Sequence, residues 1–175
     1  MSLSIQTINT FDRGAFTAAV GQVFEHSPWI AEETWLRRPF RDAVHLHAEL
    51  CATLRGAPPA RQLALIQAHP DLAGRLAQQR SLTAASAREQ ASAGLDHLSD
   101  AQLAQFQQLN ATYRARYGFP FVICARLNAH DAILVAMQTR VTNSRDTEFQ
   151  TALGEIEKIA RLRLCDLLTE GEAIL

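Results

Sequence analysis

Apolar residues recur at steps of three and four along almost the whole chain. Side chains three and four apart share one helical face, so this spacing commits the chain to helices. Within residues 99–117, Leu103, Phe106, Leu109, Tyr113 and Tyr117 form such a stripe. The same pattern predicts helices over about 12–25, over "WIAEETWL", over about 40–54, and from Pro59 to Ala68. It continues over "DLAGRLAQQ" and "SAREQASAGL", then over about 129–142 and 146–168. Punctuation falls at "HSPW", "RPF" and "RGAPP". "GFPFVICAR" reads as extended, yet no second strand pattern exists to pair with it. No repeat, low-complexity tract or linker interrupts the 175 residues. The expectation is an all-α single domain spanning 1–175, a compact helical bundle crossed by one extended apolar segment.

Composition closes several functional classes. With 17 basic and 18 acidic residues the net charge is −1, so no nucleic acid or anionic membrane is expected as partner. "FVICA" and "AILVAM" are too short to span a bilayer. "MSLSIQTINTFDRG" shows no secretory pattern. Cys51, Cys124 and Cys165 are odd in number and widely spaced, which predicts reduced thiols and a cytoplasmic protein. Lys158 is the only lysine, which nearly removes Schiff-base and pyridoxal chemistry. His45 and His47 diverge on a helix, and HExxH and CxxC patterns are missing, so no metal site is expected. Neither a phosphate loop nor a dinucleotide fingerprint occurs.

Four stretches carry candidate chemistry. In "QAHPDLAG", Pro70 disfavours the α conformation at His69, which should end one helix as Pro70 starts the next. An imidazole there either caps a helix dipole or serves as an acid near neutral pH. In "SAREQ", Ser86 and Glu89 fit a capping box, while Gln90 adds nothing to a cap. The alternative is that two polar groups beside a free helix N-terminus receive an anionic or ureide-like ligand. On the last helix the inward stripe Phe149, Leu153, Ile156, Ala160 and Leu167 also contains Arg163, which needs an anion from the protein or from a ligand. Arg161 is expected to project the other way, toward solvent. The N–H and C=O groups of "FPFVICA" need partners, either side chains and water or a flat, amide-rich ligand. Apolar surroundings should keep Cys124 protonated and inert.

Together these stretches resemble one family. "FEHSPWIAE", "RPF", "AHPDLAG", "SAREQASAGL", "LNATYRARYGFPFVICAR" and "EIEKIARLRL", in this order over nearly the whole chain, are similar to 2-oxo-4-hydroxy-4-carboxy-5-ureidoimidazoline (OHCU) decarboxylases. These enzymes yield (S)-allantoin at the end of the route from urate. The resemblance implies an all-helical, cofactor-free homodimer acting on the small molecule OHCU, with the extended segment near the active site. It implies that His69 is catalytic, with Glu89 beside it, and that Pro70 lines the pocket. It further implies that Ser86, Glu89 and Gln90 contact the substrate, that Phe121, Val122, Ile123, Cys124 and Ala125 offer backbone contacts, and that Arg163 holds a substrate oxygen. Two other readings stand beside it. One is a ureide-ring hydrolase in which His69 and Glu89 activate water, and the other is a non-catalytic helical interaction module.

Overall fold

The computed structural model describes residues 3–74 and 82–168. Side chains that accept the first orphan N–H groups set most helix starts. Ser4 accepts from Thr7 to open α1 (Ile5–Thr10), and Asp12 from Ala15 to open α2 (Arg13–Val20). The six residues of α1 are too few to display a period, so the sequence reading passes over them. α2 stops five residues short of the expected 25 and passes into a 3₁₀ turn, Gly21–Val23. A Cβ on Gly21 would stand 3.1 Å from the Pro28 Cβ, tighter than an ordinary contact, so glycine eases this close fold-back. α3 (Trp29–Thr34) follows, then α4 (Ala43–Gly56), which Asp42 caps by accepting from His45. α5 (Pro59–Ala68) begins on a proline, as expected.

By backbone proximity the chain divides into two units, residues 1–65 with 157–175 and residues 66–156. In the first, Leu46, Leu50 and Leu54 lie one helical turn apart on α4 and are fully buried, as are Ile8, Phe16, Val20 and Ile30. Each such side chain contributes about 1.5–3 kcal/mol through burial. A single parallel bridge, with the Leu3 N–H donating to the Leu167 carbonyl at 3.0 Å, is the only β pairing among the described residues. The fold is all-α, as the apolar spacing requires.

The second unit contains α6 (Ala84–Ser92), α7 (Asp100–Tyr117), α8 (His130–Arg140) and the first half of α9 (Arg145–Leu167). The buried stripe of α7 is Phe106, Asn110, Tyr113 and Tyr117, while Leu103 and Leu109 are half-buried. An amide therefore occupies a core position where Leu109 was expected. Gly118, at φ 78, ends α7 in the left-handed conformation that glycine tolerates. Residues 119–124 are irregular and Ala125–Leu127 form a 3₁₀ turn. The helix expected over "DLAGRLAQQ" is not formed at 71–74, which make a turn, and its remainder lies outside the described residues. No described helix is long and apolar enough to cross a membrane.

Beneath the extended segment sits a buried carboxylate. Glu148 is 0% exposed and accepts from Arg140 Nε at 3.1 Å, Arg140 Nη2 at 3.0 Å, Asn143 Nδ2 at 2.7 Å and the Tyr113 hydroxyl. A charge so deeply buried persists only with its lone pairs filled in this way. Burial, and then the bond to Glu148, holds the Tyr113 hydroxyl well above its ordinary pKa.

Candidate active site

α5 ends at Ala68, and the His69 N–H closes the last turn on the Ile66 carbonyl at 3.2 Å. His69 is buried, 6% exposed, and the five residues after it form a non-helical strap with a turn at Leu72 and Ala73. Side chains from α6 and α7 hold this strap instead. Gln90 Oε1 accepts from the Ala73 N–H at 3.1 Å, and Gln90 Nε2 donates to the Asp71 carbonyl at 3.3 Å. Asn110 Nδ2 donates to the Leu72 carbonyl at 2.8 Å. Arg114 Nε spans the Asp71 carboxylate at 2.8 and 3.1 Å. Ala73 sits at φ 51, a left-handed conformation that costs a non-glycine residue about 1–2 kcal/mol. Pro70 is half-buried at the head of the strap.

The capping box expected at Ser86 and Glu89 is not formed. Thr83 is the N-cap, its side chain accepting from the Ser86 N–H at 3.2 Å, so Ser86 is the third residue inside α6. Helix entry one turn earlier leaves Ser86, Glu89 and Gln90 at i, i+3 and i+4, one continuous helix face. Ser86 is 5% exposed, and Glu89 and Gln90 are half-buried. α6 packs against the 3₁₀ turn that ends the extended segment. The Glu89 carboxylate is close enough to act on Cys124: burial, then Glu155, then Glu89 raise the pKa of that thiol. Cys124 is thus the inert thiol that its surroundings predict.

Phe121, Val122, Ile123, Cys124 and Ala125 are all buried. Side chains satisfy part of their backbone. The Cys124 N–H donates to Glu155 Oε2 at 2.8 Å, Arg140 Nη1 donates to the Val122 carbonyl at 3.0 Å, and Asn128 Nδ2 donates to the Cys124 carbonyl at 2.9 Å. Arg140 also stacks over the Phe121 ring, 4.2 Å from its centroid. Among the described residues no protein group hydrogen-bonds the N–H or C=O of Ile123. Backbone groups in a buried segment are nearly always paired, so the two Ile123 groups stand out from their neighbours.

The other unit holds Arg163, which is 8% exposed; its Nη1 donates to Glu25 Oε2 at 2.9 Å. Of the two anions open to it on spacing, the protein carboxylate is present. Glu25, 2% exposed, was not singled out in the sequence; its signal was an acid set between Phe24 and His26 in a turn with His26 at φ 45. Arg161 does not face solvent as expected. It is half-buried, because Leu164 and Leu168, three and seven residues on, widen the buried face of the helix toward it, and its Nε is buried without a hydrogen bond among the described residues. The structure thus gathers Ser86, Glu89, Gln90, the strap after His69 and residues 121–125 in one unit, whereas Arg163 belongs to the other. Asn110, Arg114, Arg140 and Glu155 support these elements and escaped the sequence reading.

Comparison with known proteins agrees with this architecture. The family model for OHCU decarboxylase matches residues 9–165. A 2-oxo-4-hydroxy-4-carboxy-5-ureidoimidazoline decarboxylase of Haloferax volcanii is 45% identical over 164 residues, which are 94% of this chain and 95% of that protein. The protein of the same name from Mus musculus is 42% identical over 92% of this chain and 90% of its own length. The uric acid degradation bifunctional protein PucL of Bacillus subtilis is 38% identical over 95% of this chain but only 33% of PucL. Among solved structures, an (S)-allantoin synthase superposes with a TM-score of 0.75 at 26% identity, covering 95% of this chain and 54% of the other. An OHCU decarboxylase crystallised in the presence of (S)-allantoin gives 0.69 at 23% identity, covering 83% and 94%, and bears on the fold alone. By the family model and by relatives matched along nearly their full length, this chain belongs to the OHCU decarboxylase family.

Proposed function

We propose that the chain decarboxylates OHCU to (S)-allantoin and CO₂ in urate degradation, without a cofactor. The substrate carboxylate lies next to a ring C=N bond. When the C–CO₂ bond breaks, its electron pair moves into that C=N, and an enol-like intermediate forms without a thiamine or pyridoxal sink. A proton then adds to one face of the neighbouring carbon, which sets the (S) configuration. His69 is the proton-transfer group, and the Glu89 carboxylate supports its charged form. Ser86, Gln90 and the backbone of 121–125 hold the ureide and ring amides, with Pro70 against the ring, so the scissile bond is aligned before reaction.

One observation supports this reading above the others. With Thr83 as the cap of α6, Ser86, Glu89 and Gln90 lie inside the helix rather than at its start, and α6 packs on the 3₁₀ turn that follows Ile123, whose amide groups have no hydrogen-bond partner among the described residues. A mere interaction module would have no use for that arrangement.

The test is chiral analysis of product made from enzymatically generated OHCU, with CO₂ trapped. Excess (S)-allantoin with accelerated CO₂ release supports decarboxylation. Ring opening without CO₂ would make the chain a ureide hydrolase, and racemic allantoin at the spontaneous rate would leave no catalysis. Dialysis against a strong chelator should leave the rate unchanged. A cytoplasmic homodimer belongs to the same proposal, the reduced cysteines supporting the compartment; light scattering at twice the monomer mass tests the dimer.

A contact from Arg163 to a substrate oxygen is a separate element of the proposal. Arg163→Lys should lower kcat/KM strongly, because lysine lacks the planar fork, while Arg161→Lys should be nearly silent. If Glu25 is the sole purpose of Arg163, the variant will instead be destabilised, by up to about 3–5 kcal/mol for a buried pair, and turn over normally.

A further inference from the structure

We propose that Asn110 and Arg114 on α7 are positioning residues for the reaction, acting through the strap that carries His69. The inference rests on the reading of His69 as the proton-transfer group. Four groups of the strap each meet a side chain, in chain order. The Asp71 carbonyl meets Gln90 Nε2 at 3.3 Å and the Asp71 carboxylate meets Arg114 Nε at 2.8 Å. The Leu72 carbonyl meets Asn110 Nδ2 at 2.8 Å and the Ala73 N–H meets Gln90 Oε1 at 3.1 Å. Asn110 and Arg114 are four residues apart, one turn of the same face of α7, so a single rigid helix fixes two consecutive strap residues.

Asn110 is the residue that stability alone does not explain. It is 5% exposed at a core position of the apolar stripe, and its Oδ1 is buried without a hydrogen bond among the described residues. An orphaned amide oxygen is a cost, and a leucine would fill the stripe without it. What the amide provides is one directed bond to the carbonyl three residues beyond His69. Arg114 is half exposed, so its bond to Asp71 adds little stability while fixing the direction in which the strap leaves. Gln90 bonds the strap through both ends of its amide, which leaves its second Nε2 hydrogen for substrate. A proton-transfer group must be held to a fraction of an ångström, whereas ground-state binding tolerates looser placement.

The experiment compares kcat and KM of the full chain with Asn110→Leu, Arg114→Gln and Arg114→Lys, using freshly generated OHCU. Hydrogen exchange at the Ala73 amide is followed in parallel. We expect kcat to fall about tenfold or more in Asn110→Leu and Arg114→Gln with KM within about twofold. Exchange at Ala73 should rise, and Arg114→Lys should recover most of kcat. Thr112→Ala, on the exposed face of α7, should match the wild type. If Asn110→Leu fails to fold, the two Arg114 variants decide, since that side chain is half exposed. A normal kcat in both Asn110→Leu and Arg114→Gln, with His69→Asn inactive, overturns the positioning role and leaves the decarboxylase reading intact. An inactive wild type, or an active His69→Asn, overturns that reading and the inference with it.

Discussion

Two of the non-helical stretches in the 66–156 unit are secured by opposite means. The strap after His69 is tied by directed polar bonds from Gln90, Asn110 and Arg114, and part of its anchoring lies at the surface. The segment 119–125 is buried along its whole length and clamped by rings, with Tyr113 against Phe121 at 5.3 Å and Tyr117 stacked on Phe119 at 5.8 Å. Net hydrogen bonds are worth about 0.5–1.5 kcal/mol each, whereas a buried aromatic ring is worth several times that. The segment should therefore carry stability and present a fixed backbone, while the strap fixes the position of one imidazole at small cost to the fold.

The largest expected effect tests the strap. His69→Asn keeps similar bulk and removes the imidazole proposed to transfer the proton, so kcat should fall by about 10²–10⁴ while the melting temperature barely moves. Turnover within a few-fold of wild type would reduce His69 to a helix cap and dissolve the contrast.

Phe121→Ala should do the reverse in kind. Losing a ring that is 1% exposed should cost about 3–5 kcal/mol in denaturant unfolding. A loss below about 1 kcal/mol would show that the segment is not the clamped element described here.

The pH dependence sharpens the segment's side of the comparison. Burial raises the pKa of the Cys124 thiol and the Tyr113 hydroxyl in the fold. Both groups are acids kept neutral when folded, so their contribution is complete below the unfolded values of about 8.5 and 10 and is lost as pH rises past them. Stability should decline from about pH 8.5 upward, and Cys124→Ala should flatten the first part of that decline in urea midpoints. A flat profile to pH 10 would contradict the burial assigned to Cys124, and no further decline above pH 10 would contradict that assigned to Tyr113.

The smallest effect belongs to Ala73→Gly. Relief of the left-handed φ of 51° is offset by the greater freedom of the unfolded chain, so stability should change by less than about 1 kcal/mol. A larger loss would mean that the Ala73 methyl packs, and that the strap is held by more than polar bonds.

Helix content, the joint at His69 and the irregular character of "FPFVICA" were all legible in the sequence, because they follow from local rules. Side-chain periodicity reports which face is apolar, and proline constrains the residue before it. The motifs also carried the family resemblance, since they are contiguous. Tertiary structure alone decided where those rules compete. Ser86 and Thr83 are both competent caps, and the choice of Thr83 turned Ser86 and Glu89 from a helix start into a helix face. Two phases of the α7 stripe differ by one residue, and packing chose Asn110 over Leu109. Arg163 needed an anion on any reading, but Glu25 lies 138 residues away in sequence, beyond the reach of any local pattern. Periodicity is a property of neighbours three or four residues apart, whereas the partner of a buried charge is fixed by how distant segments fold together.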